Sequence, residues 1–224
     1  MFELFLRVFH PSEETKVLDV GVTCDTSHPE SNYFEKMYPY PSRIVCVGVE
    51  DGSHLEREYP GLRYIRVIPG MPLPFGNDAF DIVFSNAVIE HVGSRQSQTR
   101  FANELIRVGK QFFITTPNRW FPVEHHTGLP LLHFLPPPLF RRLIRNTAYG
   151  RWASEENLNL LTASSFAALF PASVNTTVKK IRLFGLTSNL VAYGAKIMSS
   201  TRQQAQEQRG VYVPEENPVE DRAR

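Results

Sequence analysis

Cysteine is nearly absent from this chain: Cys24 and Cys46 are the only two among 224 residues. That excludes a disulfide-stapled scaffold. Each thiol follows or lies within a predicted strand, so both are expected reduced and buried, as suits a cytoplasmic protein. An excess of charge is missing too. Lys and Arg number 24 against 23 Asp and Glu, a net charge of +1, which gives no global pull toward nucleic acid or an acidic membrane. No nucleic-acid recognition module is visible either. No apolar run approaches the ~20 residues of a membrane-spanning helix. The first residues, Met1 to Phe9, are apolar but carry Glu3 and Arg7, a stretch too short and too charged for a signal peptide. What is present is a hydrophobic fraction of 42% with 12% aromatics, enough for one soluble domain with a full core. No internal repeat is visible.

Strands and helices alternate from residue 16 to about 115, which predicts a parallel sheet with helices on its faces. Strands are expected at Val17 to Val20, Arg43 to Gly48, Leu62 to Ile68, Asp81 to Phe84 and Gln111 to Thr115, the last stopped by Pro117. Helices are expected from Ser31 (or near Ser27) to Tyr38, from Ser53 to Tyr59, and from Gln96 to Val108. Ser53 and Glu56 have the spacing of a capping box. Phe101, Leu105 and Val108 share one face of the third helix. Residues 117 to 145 are rich in proline and carry little periodicity until Leu139, the mark of an inserted cap. Thr162 to Phe170 reads as a helix with Thr162 as N-cap. Val178 to Phe184 and Leu190 to Ile197 read as an antiparallel pair joined through Gly185 to Asn189. The end, Ser199 to Arg224, is rich in Gln, Glu and Arg and reads as a disordered tail.

The most informative stretch runs from Leu73 to Val92. It contains Leu73-Pro-Phe, then Phe80-Asp-Ile-Val, then Glu90-His-Val. The apolar run Ile82-Val83-Phe84 ends in the small polar pair Ser85-Asn86, as in a buried strand whose carboxyl end opens onto a cleft. Open α/β sheets bind their ligands there. This run resembles the fourth strand and following loop of the class I S-adenosylmethionine-dependent methyltransferases. The resemblance covers roughly residues 16 to 120, with looser likeness beyond. It implies an α/β fold: a Rossmann-like, doubly wound, mostly parallel seven-stranded sheet with an antiparallel final strand and an inserted cap after strand five. It implies a methyltransferase-like domain over residues 1–198, with the cap at about 117–150 and the tail at 199–224. It also implies S-adenosylmethionine as the cofactor.

Carried onto this chain, the resemblance assigns the methionine part of the cofactor to Asp19 and Gly21 at the end of strand one. Glycines there let backbone amides approach a ligand without a Cβ clash. The chain departs from the family at Thr23 and Asp25, where further glycines are expected. Glu50, with Asp51 beside it, takes the place of the acid that binds both ribose hydroxyls, two acceptor oxygens meeting two donors. No carboxylate follows strand three; Met71 occupies that place and can pack on the adenine. Ser85 and Asn86 would line the cofactor, with Ala87 next to them and Glu90 and His91 just beyond. Each acid has an alternative reading as a solvated or turn-capping residue, and Met71 one as ordinary core.

His91 is the first candidate base, since an imidazole accepts a proton near neutral pH; its alternative is a hydrogen bond that fixes the loop. The segment Thr115 to Gly128 concentrates Asn118, Arg119, Trp120, Glu124, His125 and His126 after strand five, at the same edge of the sheet. Similar runs occur in methyltransferases of cell-surface and secondary-metabolite pathways. His125 or His126 can deprotonate an acceptor hydroxyl, with Glu124 to orient the ring. Trp120 and Phe121 can exclude water or stack on a sugar or aromatic ring. A metal on His125, His126, His133 and Glu124 is not expected, because adjacent histidines on an extended chain point to opposite faces and the spacing matches no known site. Arg141, Arg142, Arg145 and Arg151 read as a solvated basic face, with contact to an anionic membrane surface as the alternative.

The chain is therefore expected to methylate a hydroxyl of a sugar or other small metabolite, without nucleic acid or a transmembrane segment. The main alternative is a non-catalytic methyltransferase-like scaffold or binding protein of a biosynthetic complex. A nicotinamide-dependent oxidoreductase lacks its glycine fingerprint here.

Overall fold

The computed structural model describes residues 1–27 and 31–197. The expected tail at 199–224 lies outside the described residues. Thirteen named elements occur among those described: α1 (Phe2–Phe9), β1 (Val17–Val20), α2 (Tyr33–Met37), β2 (Ile44–Gly48), α3 (Leu55–Glu58), β3 (Arg63–Arg66), β4 (Phe80–Asn86), α4 (Arg95–Val108), β5 (Gly109–Pro117), α5 (Pro137–Ile144), α6 (Ala163–Ala167), β6 (Val174–Leu183) and β7 (Leu186–Lys196). The strands form one seven-stranded sheet in the order β3-β2-β1-β4-β5-β7-β6. The first five run parallel, β7 pairs antiparallel with β5, and β6 antiparallel with β7. The strand order reverses between β1 and β4, which makes their carboxyl ends the ligand-binding edge of such a sheet. No helix among the described residues is long and apolar enough to cross a membrane.

The period-2 geometry of the strands sends alternate side chains to opposite faces. Leu18, Val20, Val83, Phe112 and Ile114 pack against α4 and α6 through Leu105, Val108 and Phe166. Val17, Ile82, Phe84 and Phe113 pack on the other side with Phe5 of α1 and Phe34 of α2. Helix α1 is absent from the sequence-based expectation. Its Phe2, Phe5, Leu6 and Phe9 recur at helical spacing, and Phe5 is fully buried among the rings of Phe34, Phe84 and Phe113.

Several expectations need correction. Helix α3 begins two residues later than expected, and its N-cap position, His54, makes no capping bond. Glu56 instead accepts from the Tyr64 backbone N–H at 2.8 Å, so the capping-box spacing serves the neighbouring strand. The hairpin β6–β7 turns on two residues, Phe184 and Gly185, rather than five. Both have positive φ, 50° and 81°, the left-handed pair that two-residue hairpins use. Cys24 is half-exposed while Cys46 is buried, and both are free thiols. The 117–145 stretch contains helix α5, whose Phe140 and Ile144 form a small separate core with Leu158. Its basic residues Arg142 and Arg145 are exposed, while Arg141 reaches Glu155 at 3.4 Å.

The Leu73-Pro-Phe motif has a physical basis. The Arg107 guanidinium donates to the carbonyls of Leu73 and Phe75, and the Leu73 N–H donates to Glu104. The motif is thereby tied to α4 just ahead of β4.

Candidate active site

Gly21 follows β1 with φ +96°, and a Cβ there would stand 2.3 Å from Val88 Cγ2. Only glycine fits both the backbone and the approach. The departures at Thr23 and Asp25 replace glycine freedom with side-chain hydrogen bonds. Thr23 Oγ1 accepts from the Asp25 N–H, Asp25 Oδ1 accepts from the Ser27 N–H and hydroxyl, and the Thr23 carbonyl accepts from Asn32 Nδ2. The loop is held by its own polar residues.

Asp19 lies opposite Cys46 in the β1–β2 register and on the face toward α2. Carboxylate oxygens of Asp19 and Glu35 and the Cys46 Sγ lie within 4.8 Å of one another, and Cys46 Sγ donates to Glu35 Oε1 at 3.3 Å. Asp19 and Glu35 are each 5% exposed. Burial first, and the neighbouring Glu35 charge second, push the Asp19 carboxyl far above its usual range. The Tyr33 hydroxyl beside them is buried without a hydrogen-bond partner. Glu35 and Tyr33 were not singled out in the sequence, because neither stands in a motif. The apolar residues Val49, Ile68 and Met71 are 50%, 71% and 61% exposed, past the ends of β2 and β3. Met71 is therefore not core. Glu50 and Asp51 are exposed in the same region. Asp51 is occupied in a turn: hydrogen bonds from Ser53 hold its carboxylate below the usual range.

After β4 the side chains divide. Ser85 is fully buried and donates to the Val20 carbonyl at 2.9 Å, a bond that ties β4 to β1. Asn86 Oδ1 accepts from Thr115 Oγ1 at 2.7 Å. Ala87 has φ 54°, a strained left-handed conformation for a residue with a Cβ; such residues cluster at functional sites. A 3-10 turn, Ile89–His91, then presents Glu90 and His91. Gln98 of α4 fixes this turn by donating to the carbonyls of Ile89 and Asn159, while the Asn159 N–H donates to the Glu90 carbonyl. The 157–159 segment is thus laced to the turn, and its Asn157 carbonyl accepts from His91 Nδ1 at 2.6 Å.

The two loops meet at two histidines. His91 Nε2 and His126 Nε2 are 3.0 Å apart, and His126 Nδ1 is 2.7 Å from Glu124 Oε1. Glu124 is 2% exposed and also accepts the backbone N–H groups of His126 and Thr127. Burial alone would raise its pKa, but these hydrogen bonds outweigh it and hold the carboxylate at about 2. Burial pushes His91 down. Glu90 is fully buried; its Oε2 accepts from Thr116 Oγ1 at 3.0 Å, its Oε1 has no partner, and burial raises its pKa to about 7. Trp152 covers both imidazoles, with centroids 5.6 Å and 4.8 Å away. Asn157 and Trp152 carried no sequence signal, and Thr116, within the Thr115 to Gly128 segment, was given no role of its own, since only the fold brings the three together.

The remaining candidates lie apart from this pair. His125 stacks on Phe121 at 5.3 Å; residues 125–127 form a turn closed by the Gly128 N–H on the Glu124 carbonyl, so the extended-chain alternation expected of the two histidines does not apply. His133 is buried with Nε2 on the Phe121 carbonyl at 2.9 Å. Trp120 is 53% exposed. It lines a cavity of about 260 Å³ with Asn118, Lys180, Leu186 and Leu190.

Residues 31–112 match the family model of a methyltransferase domain. No curated protein matches the chain. Solved structures do. The YcgJ protein of Bacillus subtilis is 15% identical with a TM-score of 0.59, over 88% of this chain and 98% of that one. An S-adenosylmethionine-dependent methyltransferase of Mesorhizobium loti is 12% identical with a TM-score of 0.56, over 86% and 96%. A SAM-dependent methyltransferase of Aquifex aeolicus is 14% identical with a TM-score of 0.51, over 87% and 89%. Residues 31–112 thus resemble a methyltransferase domain, and the chain as a whole shares the fold of these solved structures.

Proposed function

We propose that this protein binds S-adenosylmethionine at the carboxyl ends of β1, β2 and β4 and methylates a hydroxyl of a small-molecule acceptor, a sugar or other metabolite. The single observation that carries the hydroxyl acceptor is the hydrogen-bonded run Glu124–His126–His91 at the same edge of the sheet. S-adenosylmethionine, when bound, supplies a methyl group on a positively charged sulfur, which keeps the bonding electron pair as the methyl leaves. The buried acids Asp19 and Glu35, with the unpartnered Tyr33 hydroxyl, fit the ammonium end of such a ligand. Gly21 admits its backbone approach. Glu50, exposed past the end of β2, would take the ribose hydroxyls, and Val49, Ile68 and Met71 would offer an apolar surface for the adenine. Asn86 lines the edge beside Ala87, and Ser85 acts only through the backbone it braces.

On the acceptor side the imidazole pair takes the hydroxyl proton as the oxygen–methyl bond forms, and Glu124 stabilises the resulting positive charge. The chain otherwise has only to align acceptor and methyl group. His125 takes no part in the pair. The test is calorimetric titration with S-adenosylmethionine and with S-adenosylhomocysteine, followed by methyl transfer to a panel of hydroxylated sugars and metabolites. Micromolar binding with transfer to oxygen is expected. Absence of binding to a folded protein would favour a non-catalytic scaffold, to which the side-chain-locked loop at Thr23–Asp25 lends its support.

A further inference from the structure

We propose that Glu90, His91 and His126 form a binding site for a divalent transition-metal ion of the zinc class. The argument begins with the protons. A backbone carbonyl only accepts, so the 2.6 Å contact to Asn157 places a proton on His91 Nδ1. Glu124 already accepts two backbone N–H groups as a carboxylate, so the 2.7 Å contact places a proton on His126 Nδ1. The Nε2 atoms are then both lone-pair acceptors, and they face each other at 3.0 Å. Two lone pairs at that distance repel. A positive centre must lie between them, either a shared proton or a metal ion.

The third atom decides between the two. Glu90 Oε1 is buried, lacks any hydrogen-bond partner, and lies 4.0 Å from His91 Nε2. The ligand atoms of Glu90, His91 and His126 all lie within 4.8 Å of one another. A shared proton satisfies two nitrogens and leaves the oxygen orphaned, an expensive state for a buried carboxyl. A metal ion satisfies all three. Two ligand atoms on a tetrahedral zinc are about 3.3 Å apart at the usual bond length, so the rings need to part by a few tenths of an ångström and Glu90 Oε1, at 4.0 Å from His91 Nε2, needs to close in by somewhat more.

The surroundings are those of metal-ligating histidines, whose second ring nitrogen donates to a carbonyl or carboxylate that fixes the ring. Asn157, Glu124 and Thr116 each hold one of the three ligands. Two imidazoles and one carboxylate suit zinc, and three protein ligands leave a fourth position for water or a substrate oxygen. This is a different set from the His125–His126–His133–Glu124 grouping that the sequence argues against, since His125 and His133 point elsewhere. That the ion binds is independent of the proposed methyl transfer. What it does rests on that reading and replaces the base role of the imidazoles: with both Nε2 atoms on the ion neither ring takes the proton, and the ion would instead hold the acceptor oxygen and ease loss of its proton to solvent, which narrows the acceptor to hydroxyl compounds able to ligate a metal.

The test uses the untagged full chain, stripped with a chelator and titrated with Co²⁺, read by visible d–d absorption. One equivalent per chain is expected, with the bands of a four- or five-coordinate site that Zn²⁺ abolishes. Glu90→Gln and His126→Ala, each shown folded by its melting curve, should weaken binding at least tenfold, and His125→Ala should leave it unchanged. No d–d bands from the wild-type chain, or unaltered binding by His126→Ala, would overturn the site. S-adenosylmethionine binding is measured on the same stripped protein. Cofactor binding without metal binding refutes the ion and leaves methyl transfer standing; metal binding without cofactor binding does the reverse.

Discussion

The carboxyl groups of Asp19 and Glu35 face each other within 4.8 Å, though one comes from β1 and the other from α2. Both are sealed from water, so they cannot both carry full charge at little cost. A pair like this is poorly suited to the free protein and well suited to a cationic ligand.

Asp19→Asn should therefore stabilise the free protein at neutral pH while weakening cofactor binding. The Asp19 pKa is raised in the folded state above its ordinary 3.8. Its contribution to stability is fully present below that value and is lost as pH rises through the folded pKa. The wild type should lose stability over that rise, and the variant should lose less. A gain of at least about 1 kcal/mol at pH 8 is expected, one pKa unit being worth ~1.4 kcal/mol. Urea unfolding at several pH values measures it, and equal curves for the two proteins would refute the assignment.

Cofactor binding should release a proton. The ammonium group favours the ionised form of Asp19, so the proton that Asp19 holds in the free protein leaves on binding. Calorimetry in buffers of different ionisation enthalpy reads this directly. Affinity should rise with pH until Asp19 is ionised in the free protein, by up to tenfold per unit. Heat that is the same in every buffer would count against the pair as the ammonium site.

Gly21→Ala should be costly in two ways. The added Cβ would meet Val88 Cγ2 at 2.3 Å, and φ +96° is strained for any side chain. A loss of about 1–3 kcal/mol of stability is expected, with cofactor affinity reduced further. Adding Val88→Ala should recover part of the stability, because it removes the contact and leaves the strain.

The sheet was legible because its strands are short apolar runs between turn residues: Val17 to Val20 was read to the residue. Helix α1 was not, since Met1 to Phe9, an apolar stretch carrying charge, resembles a short leader as much as a helix, although Phe2, Phe5 and Phe9 recur at helical spacing. At the site, His91 and His126 were legible as residue types in loops after β4 and β5, and Glu124 as the partner of one of them. Their mutual contact was not. It depends on Gln98 and Asn159, which dock the 157–159 segment on the Ile89–His91 turn, a long-range event with no local pattern. The exposure of Met71 was equally hidden, because a methionine after a strand reads the same whether it faces core or solvent.

Glu124→Gln keeps the shape of the side chain but replaces a charged acceptor with a neutral one. His126 then loses the group that stabilises its positive charge, while the Asp19 region is untouched. Turnover should fall by about 10²-fold or more, with S-adenosylmethionine affinity within twofold of wild type. A fall in affinity equal to the fall in turnover would mean that Glu124 only props the fold.

Phe5→Ala tests whether α1 is part of the folding unit. The Phe5 ring is fully buried and meets rings from α2, β4 and β5 at centroid distances of 5.1 to 5.8 Å. Its removal leaves a cavity that four rigid aromatic neighbours cannot easily close, since Phe9 also leans on it at 5.2 Å. A loss of about 3–5 kcal/mol is expected, comparable to a sizeable part of the stability of an ordinary domain. The same ring network reaches Phe34, one residue from Glu35, so the variant should also loosen the acid pair. Cofactor affinity should drop even at temperatures where the variant is fully folded. A stability loss under 1 kcal/mol in urea would show that α1 packs loosely and that the sheet needs no cover from it.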